Sequence, residues 1–379
     1  MNPYAPGQPA DPRSFAGRKE LLRQTVDAVE VATKLQRSTA ILLHGYRGSG
    51  KTSILRKMQD QVRQLSPDAI TVELPLRSMT PEDRLLTSLV LEITRQLAAR
   101  KSVTKRVREF LGRVNGLAVP GGFGISIGSD SPTSVSSALA LWRDCMESLE
   151  DVPLVVVSID DAELLDPSGL GALKTIAEAH SATPVILVVT GGVEFSDRLA
   201  QADASPVARI FSGARFDVGE FSEVETREAL ESPLAALNLK GKWTEGAAST
   251  VHRMSHGYPY LVQCIAHAAY TDGGRMDEAR VLGALEKALD VASSWLQREC
   301  AEASDQDIVS FALIAGTGKA VLRSSEIQSV GVQAPYIGRL VRQKVLLKVS
   351  RGHYEVRKAP VIAYYHLLRR KLVLPSVAS

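Results

Sequence analysis

The stretch Ala40-Ile41-Leu42-Leu43-His44-Gly45-Tyr46-Arg47-Gly48-Ser49-Gly50-Lys51-Thr52-Ser53-Ile54-Leu55 sets the reading of the whole chain. Ala40–Leu43 is a short apolar run of strand character, and a helical pattern starts at Lys51 and continues to about Leu65. Between them, Gly45 to Thr52 follows the spacing G-x-x-x-x-G-K-[ST]. Glycines let consecutive backbone N–H groups curl around phosphate oxygens, because no Cβ blocks the approach. The N-terminus of the following helix adds its positive end. Lys51 is then expected to reach the β- and γ-phosphates, and Thr52 to place its hydroxyl on Mg²⁺. Gly45, Gly48, Ser49, Gly50, Lys51, Thr52 and Ser53 are therefore expected to bind ATP.

Outward from this loop, strand and helix signals alternate. Ala69–Leu74 reads as a second strand, and Pro81 opens a helix to about Ala99. Leu154–Ile159 and Val185–Val189 are nearly continuous apolar runs, as parallel strands buried on both faces should be. Phe216–Val218 reads as an edge strand. Such alternation implies βαβ units, hence an α/β fold with a doubly wound parallel sheet. A phosphate loop needs a carboxylate at the end of a neighbouring strand to hold the Mg²⁺ shell. Asp160 and Asp161 end the run Val155–Ile159. Asp160 is expected to orient the metal, and Asp161 to polarise the attacking water, with Glu163 as the alternative base. The next buried run ends at Thr190, expected to lie beside the γ-phosphate as a sensor. Lys51, Asp160, Asp161 and Thr190 form the expected catalytic set.

The strand signals stop after Phe221. Ser222-Glu223-Val224-Glu225 has the form of a capping box, and helical patterns fill most of 222–300. From Ser304 the order is helix, helix, helix and two short strands. Residues 325–330 form a helix, Gly331 a turn, and Pro335–Gln343 a second helix with proline at its favoured start. Val345–Val349 and Tyr354–Val356, joined by Ser350-Arg351-Gly352-His353, form a hairpin. Helix-turn-helix plus wing is a winged-helix pattern, whose second helix ordinarily enters a major groove. The expected units are an extended arm over 1–14, a nucleotide core over 15–220, a helical lid over 221–300 and a winged helix over 301–379. The Gly/Ser-rich stretch 116–131 is expected to be a surface hairpin or loop.

A chain of 379 residues is long enough for two or three domains. Its longest apolar run, Val152–Ile159, is about eight residues, whereas a spanning helix needs about 20. With no apolar signal core at the N-terminus, a cytoplasmic protein without membrane association is expected. Cys145, Cys264 and Cys300 form no CxxC pair, which speaks against a disulfide framework or a zinc site.

With these motifs in order, the chain resembles AAA+/STAND P-loop ATPases of the initiator-like and archaeal-ATPase type. Phe15-Ala16-Gly17-Arg18-Lys19-Glu20 resembles the opening box of those families. The resemblance implies that Gly17 and Arg18 pack around the adenine. Gly257-Tyr258-Pro259 resembles the G-x-P motif of STAND lids. It implies that Gly257 and Pro259 touch the nucleotide where other lids use an arginine. Asp161 stands where most AAA+ ATPases carry glutamate, a departure that favours low turnover. Arg209 and Arg215 precede the last core strand, where AAA+ rings often carry an arginine finger; either is a finger or a plain surface residue.

The overall charge of +3 is unevenly spread. Residues 320–379 hold eleven Lys or Arg against Glu326 and Glu355, an excess of nine positive charges, so the rest carries an excess of six negative ones. A basic winged helix on an acidic body points to double-stranded DNA, met by Tyr336, Arg339, Arg342 and Arg351. A second basic cluster, from Arg95 to Arg113, fits a DNA or partner surface or, as the favoured reading, a solvated helical face. The expected function is an ATP-driven switch controlling a winged helix. Three jobs fit it: a DNA-bound initiator, loader or regulator; a signalling or defence ATPase working through protein partners or self-assembly; and a regulatory subunit with negligible turnover.

Overall fold

The computed structural model describes residues 1–100, 103–115, 135–179, 182–201, 205–299, 304–317, 319, 321–343 and 345–356. The Gly/Ser-rich stretch, Lys101, Cys300, Lys344 and the basic positions from Arg357 to Lys371 lie outside the described residues. The chain divides into two compact units: Arg18–Gly219, and a second made of Met1–Gly17 with everything from Glu220 onward.

In the first unit, β1 (Thr39–His44), β2 (Ile70–Pro75), β3 (Val155–Asp160), β4 (Val185–Gly191) and β5 (Arg215–Asp217) form one sheet in the order β2-β3-β4-β1-β5. Every pairing in it is parallel. β3 and β4 are buried along their whole length, the physical counterpart of their unbroken Val/Ile/Leu runs. Around the sheet run α1 (Lys19–Leu35), α2 (Lys51–Leu65), α3 (Glu82–Ala98), α4 (Lys105–Asn115), α5 (Val135–Ser148), α6 (Pro167–Ala177), α7 (Val193–Leu199) and α8 (Ser205–Ala208). The core gathers Leu42, Val72, Val157, Ile159 and Val189 of the sheet with Leu86, Leu89, Trp142, Leu173 and Phe195 of the helices. Each expected strand and helix of this unit is present, with ends shifted by a residue or two. The fold is α/β, with the phosphate-loop strand β1 lying between β4 and β5.

The second unit is mostly helical. α9 (Glu223–Ala236) starts at the expected capping box: Ser222 Oγ accepts from Glu225 N at 3.2 Å, and Glu225 Oε2 accepts from Ser222 N at 2.9 Å. α10 (Glu245–Ser255), α11 (Pro259–Ala269) and α12 (Glu278–Glu299) follow. Between them, β6 (Lys242–Trp243) and β7 (Arg275–Met276) pair in parallel. Two-residue strands carry no periodicity, so only the contact reveals them. The end of the described chain carries α13 (Asp305–Gly316), β8 (Val321–Arg323), α14 (Ser324–Ser329), α15 (Ala334–Arg342), β9 (Leu346–Ser350) and β10 (His353–Val356). The hairpin is thus the larger part of a three-stranded antiparallel sheet, β8-β10-β9. β8 exists because Leu322 pairs with Tyr354, a partner no local pattern announces.

Residues 1–17 contain no helix or strand, yet they are anchored. Tyr4 is 1% exposed in a core with Leu230, Trp243, Val262 and Met276. Its hydroxyl donates to Leu230 O at 2.5 Å and accepts from Trp243 Nε1 at 2.7 Å. Among the described residues no helix is long and apolar enough to cross a membrane.

Candidate functional site

The site is assembled at the C-terminal ends of β1, β3 and β4, where a doubly wound sheet leaves its crevice. β1 delivers the loop 45–50, and α2 begins at Lys51. A Cβ on Gly45 would stand 2.5 Å from Val218 O, so only glycine fits. Gly48 and Gly50 take φ of 86° and 94°, where glycine is at no disadvantage. Ser49 is 2% exposed and its hydroxyl has no partner among the described residues. A buried, unpartnered hydroxyl inside a glycine cradle suits an oxygen-rich ligand.

Lys51 is 8% exposed, and its Nζ donates to Gly45 O at 2.8 Å and Tyr46 O at 2.9 Å. Burial pushes its ammonium below the ordinary lysine range, against the pull of Glu163, Asp160 and Asp161.

The register Leu43↔Thr190 and Ile159↔Val189 puts the end of β4 between the loop and the end of β3. Asp160, 5% exposed, therefore meets hydroxyls from both sides. Thr52 Oγ1 donates to its Oδ2 at 2.7 Å, and Thr190 Oγ1 donates to its Oδ1. Thr190 Oγ1 also accepts from Asp161 N at 3.2 Å, so one hydroxyl holds both acidic residues of the pair. Sequence position placed Thr190 near the site; that it braces Asp160 and Asp161 is visible only in the fold.

Asp161 sits at φ 59°, a left-handed conformation that Asp tolerates, and remains exposed where the chain leaves the strand. Partial desolvation, then Asp160 and Glu163, push its carboxyl above the ordinary range, while Lys51 and Arg47 pull it down. Glu163 is held elsewhere: its Oε2 accepts from Gly192 N at 3.1 Å. The turn that carries it is fastened by Arg198, which donates to Glu163 O at 3.0 Å and Leu165 O at 2.9 Å. Arg198 was not foreseen, because its partners are set by the turn geometry and not by any spacing. Of the two finger candidates, Arg215 Nη2 donates to Ser196 Oγ, and Arg209 is exposed.

Arg18 belongs to this unit and caps α1 at φ 58°, with Nη2 donating to Gly219 O. Gly17, Gly257 and Pro259 belong to the other unit. Gly17 N donates to Glu228 Oε2 at 3.2 Å. Gly257, at φ 74°, has its N–H on Ser255 Oγ at 3.1 Å and its carbonyl accepting from Phe221 N at 2.7 Å. Pro259 is buried at the start of α11, as its fixed φ favours. Tyr258 between them is buried and stacks on Trp295 of α12, with ring centroids 5.2 Å apart.

At the basic end, Arg342 and Arg351 are exposed, as expected, and Tyr336 and Arg339 are half-buried. Arg339 does not simply face solvent: its Nη2 donates to the buried Asp307 at 2.6 Å. The other basic cluster is largely neutralised in place. Arg95 pairs with Glu92 at 2.6 Å, Arg113 with Asp144 at 3.2 Å, Arg106 with Glu150 and Lys105 with Glu109 at 3.7 Å.

Residues 14–189 match the AAA ATPase domain family. Among curated proteins none matches the chain. Solved structures share its fold at low identity. The ORC2 protein of Aeropyrum pernix, solved as ADPNP–ADP complexes, matches with a TM-score of 0.59 and 12% identity over 97% of this chain and 95% of its own. The Walker-type ATPase PABY2304 of Pyrococcus abyssi matches with 0.54 and 13% identity over 93% and 96%. Cdc6p from Pyrobaculum aerophilum matches with 0.50 and 13% over 98% and 98%. Over residues 14–189 the chain is therefore similar to the AAA ATPase domain family, and its fold is shared with the ORC2, Cdc6p and Walker-type ATPase structures.

Proposed function

We propose that the protein is an ATP-binding and ATP-hydrolysing switch whose nucleotide state controls a winged helix over residues 301–379, associated with double-stranded DNA. The observation that carries the nucleotide part is the bracing of Asp160 by Thr52 and Thr190 beside the buried Lys51. Gly45, Gly48, Ser49, Gly50, Lys51, Thr52 and Ser53 would hold the phosphates. Thr52 and Asp160 offer hard oxygen donors at the spacing of one hydrogen bond, which suits Mg²⁺. Bound Mg²⁺ supplies charge neutralisation at the phosphate oxygens. Asp161, exposed and held through its own N–H, accepts a proton from the attacking water. Thr190 keeps the two carboxylates in register. Gly17 and Arg18 of the opening box, and Gly257 and Pro259 in the helical lid over 221–300, are the proposed nucleotide-sensing positions.

The test is titration of a fluorescent ATP analogue into wild type and Lys51→Ala. Loss of the buried lysine at the loop's end should weaken binding by about 2–5 kcal/mol, the cost of removing one member of a buried charge contact. Unchanged affinity would overturn the assignment of the loop. The DNA part rests on exposed Arg342, Lys348 and Arg351 on α15 and the hairpin. A gel shift with and without ATP tests it. A second reading, a signalling ATPase working through protein partners, is favoured by the neutralisation of Arg339 by Asp307. No shift at about 50 mM salt, where phosphate contacts are strongest, would select that second reading.

A further inference from the structure

Asp307 is the buried acid that no part of the nucleotide site uses. It is 0% exposed, in the first turn of α13, and four donors converge on its Oδ2. They are Ser304 N at 3.0 Å, Ser304 Oγ at 2.8 Å, Gln343 Nε2 at 3.3 Å and Arg339 Nη2 at 2.6 Å. Its Oδ1 has no partner among the described residues. Arg339, by contrast, keeps 41% of its side chain exposed, with its guanidinium 5.9 Å from the Tyr336 ring centroid. Its described hydrogen bonds, to Asp307 and to Ser304 Oγ, both leave from Nη2. A guanidinium has five N–H donors, so one edge is committed inward while others remain on the exposed side.

Two consequences compete. Either a nucleic-acid ligand pulls Arg339 off Asp307, or it uses Arg339 where it stands. Pulling it off would leave a fully buried carboxylate without its cation, which costs far more than an exposed ion pair returns. The second outcome therefore wins. We propose that Asp307 is a positioning residue that holds Arg339 as a fixed fork on α15, making Arg339 the sequence-discriminating contact to duplex DNA, with exposed Arg342, Lys348 and Arg351 as the non-discriminating phosphate contacts. This rests on the DNA reading above and sharpens it. A planar guanidinium with its orientation settled before binding suits the paired acceptors of a guanine edge in the major groove. Flexible lysines and arginines at the rim supply affinity without sequence information.

The experiment uses the full chain with ATP and two probes: a mixed-sequence duplex, and the duplexes enriched by the wild type from a randomised pool. Arg342→Ala should weaken binding to both probes alike and lower the salt slope by about 0.9. Asp307→Asn removes the buried charge and adds one net positive charge to the protein. It should nevertheless lose about tenfold or more of the preference for the enriched duplexes, the worth of one good base contact. Arg339→Lys keeps the charge but not the fork, and should lose the preference in the same way. It also reports on the proposal should Asp307→Asn prove unfolded by circular dichroism. Tighter binding of Asp307→Asn to the mixed duplex with preference retained would mean that Asp307 merely neutralises Arg339, and would overturn the proposal. So would an Arg339→Lys protein that keeps the wild-type preference. If the wild type binds neither probe at about 50 mM salt, the DNA reading itself fails, a result distinct from both.

Discussion

The loop after β1 and the corner between α13 and α15 each seat a basic side chain against protein oxygens, and they do so by different means. Lys51 meets carbonyls five and six residues away in its own loop. Arg339 meets a carboxylate 32 residues away on another helix. In the first case the geometry is written into residue types: glycine where a Cβ would strike Val218 O, lysine where the helix starts. In the second, nothing in the residues around Arg339 tells it from an ordinary surface arginine. Local chemistry can be read along a chain; pairing between distant elements needs the packed structure. The same division runs through the acidic pair, where Asp160 and Asp161 are neighbours but Thr190, which braces both, is about 30 residues away.

The sharpest way to probe this contrast is the acidic pair. Asp161→Asn should leave the nucleotide bound and slow hydrolysis by about 10²–10⁴-fold, the usual contribution of a positioned proton acceptor. Phosphate release under single-turnover conditions measures it. A wild-type rate would pass the role to Glu163, whose carboxylate sits on Gly192 N, and would show that proximity in sequence misled.

The next largest effect lies at the most distant contact. Tyr4→Ala removes a fully buried aromatic whose hydroxyl partners are 226 and 239 residues away. It should cost about 3–5 kcal/mol, as deletion of a buried aromatic does. Urea unfolding followed by tryptophan fluorescence should report the loss in the helical unit, where Trp243 is the hydroxyl's donor. An unaltered transition would reduce residues 1–17 to the loose arm that their prolines suggest.

The smallest effect belongs to a turn that is local in one respect and distant in another. Gly257→Ala keeps the residue at φ 74° and brings a Cβ to 2.1 Å from Phe221 O. Strain and overpacking together should destabilise the helical unit by about 1–3 kcal/mol. Thermal unfolding would show it. A neutral result would mean that the turn can yield, and that the Phe221–Gly257 hydrogen bond is not what holds it.

Much of the core was legible because its strands are buried on both faces and so read as unbroken apolar runs. The capping box at Ser222 was legible too, since its two hydrogen bonds span only three residues. The extra strand β8 and the β6–β7 pair were not, being too short to show alternation. Nor could the composition of residues 1–17 reveal Tyr4 as a core residue, since prolines and turns around it describe only the backbone. The basic cluster near α4 was legible as a run of charges, but its ion partners Asp144 and Glu150 come from elsewhere in the chain.

By itself, the order of residue types determined a phosphate-cradling loop between a buried strand and a helix, with two acids at the end of another buried strand. Those are short-range demands: a glycine where a side chain cannot fit, a lysine and a hydroxyl within one turn of a helix start. Tertiary structure alone decided the strand order β2-β3-β4-β1-β5, which sets the end of β4 beside both the loop and Asp160. It alone bound Thr190 to Asp160, Tyr4 to Trp243, and Arg339 to Asp307. A hydrogen bond forms between whichever groups packing brings within about 3 Å. Along an unfolded chain those groups are tens to hundreds of residues apart, and only burial of the apolar core brings them together.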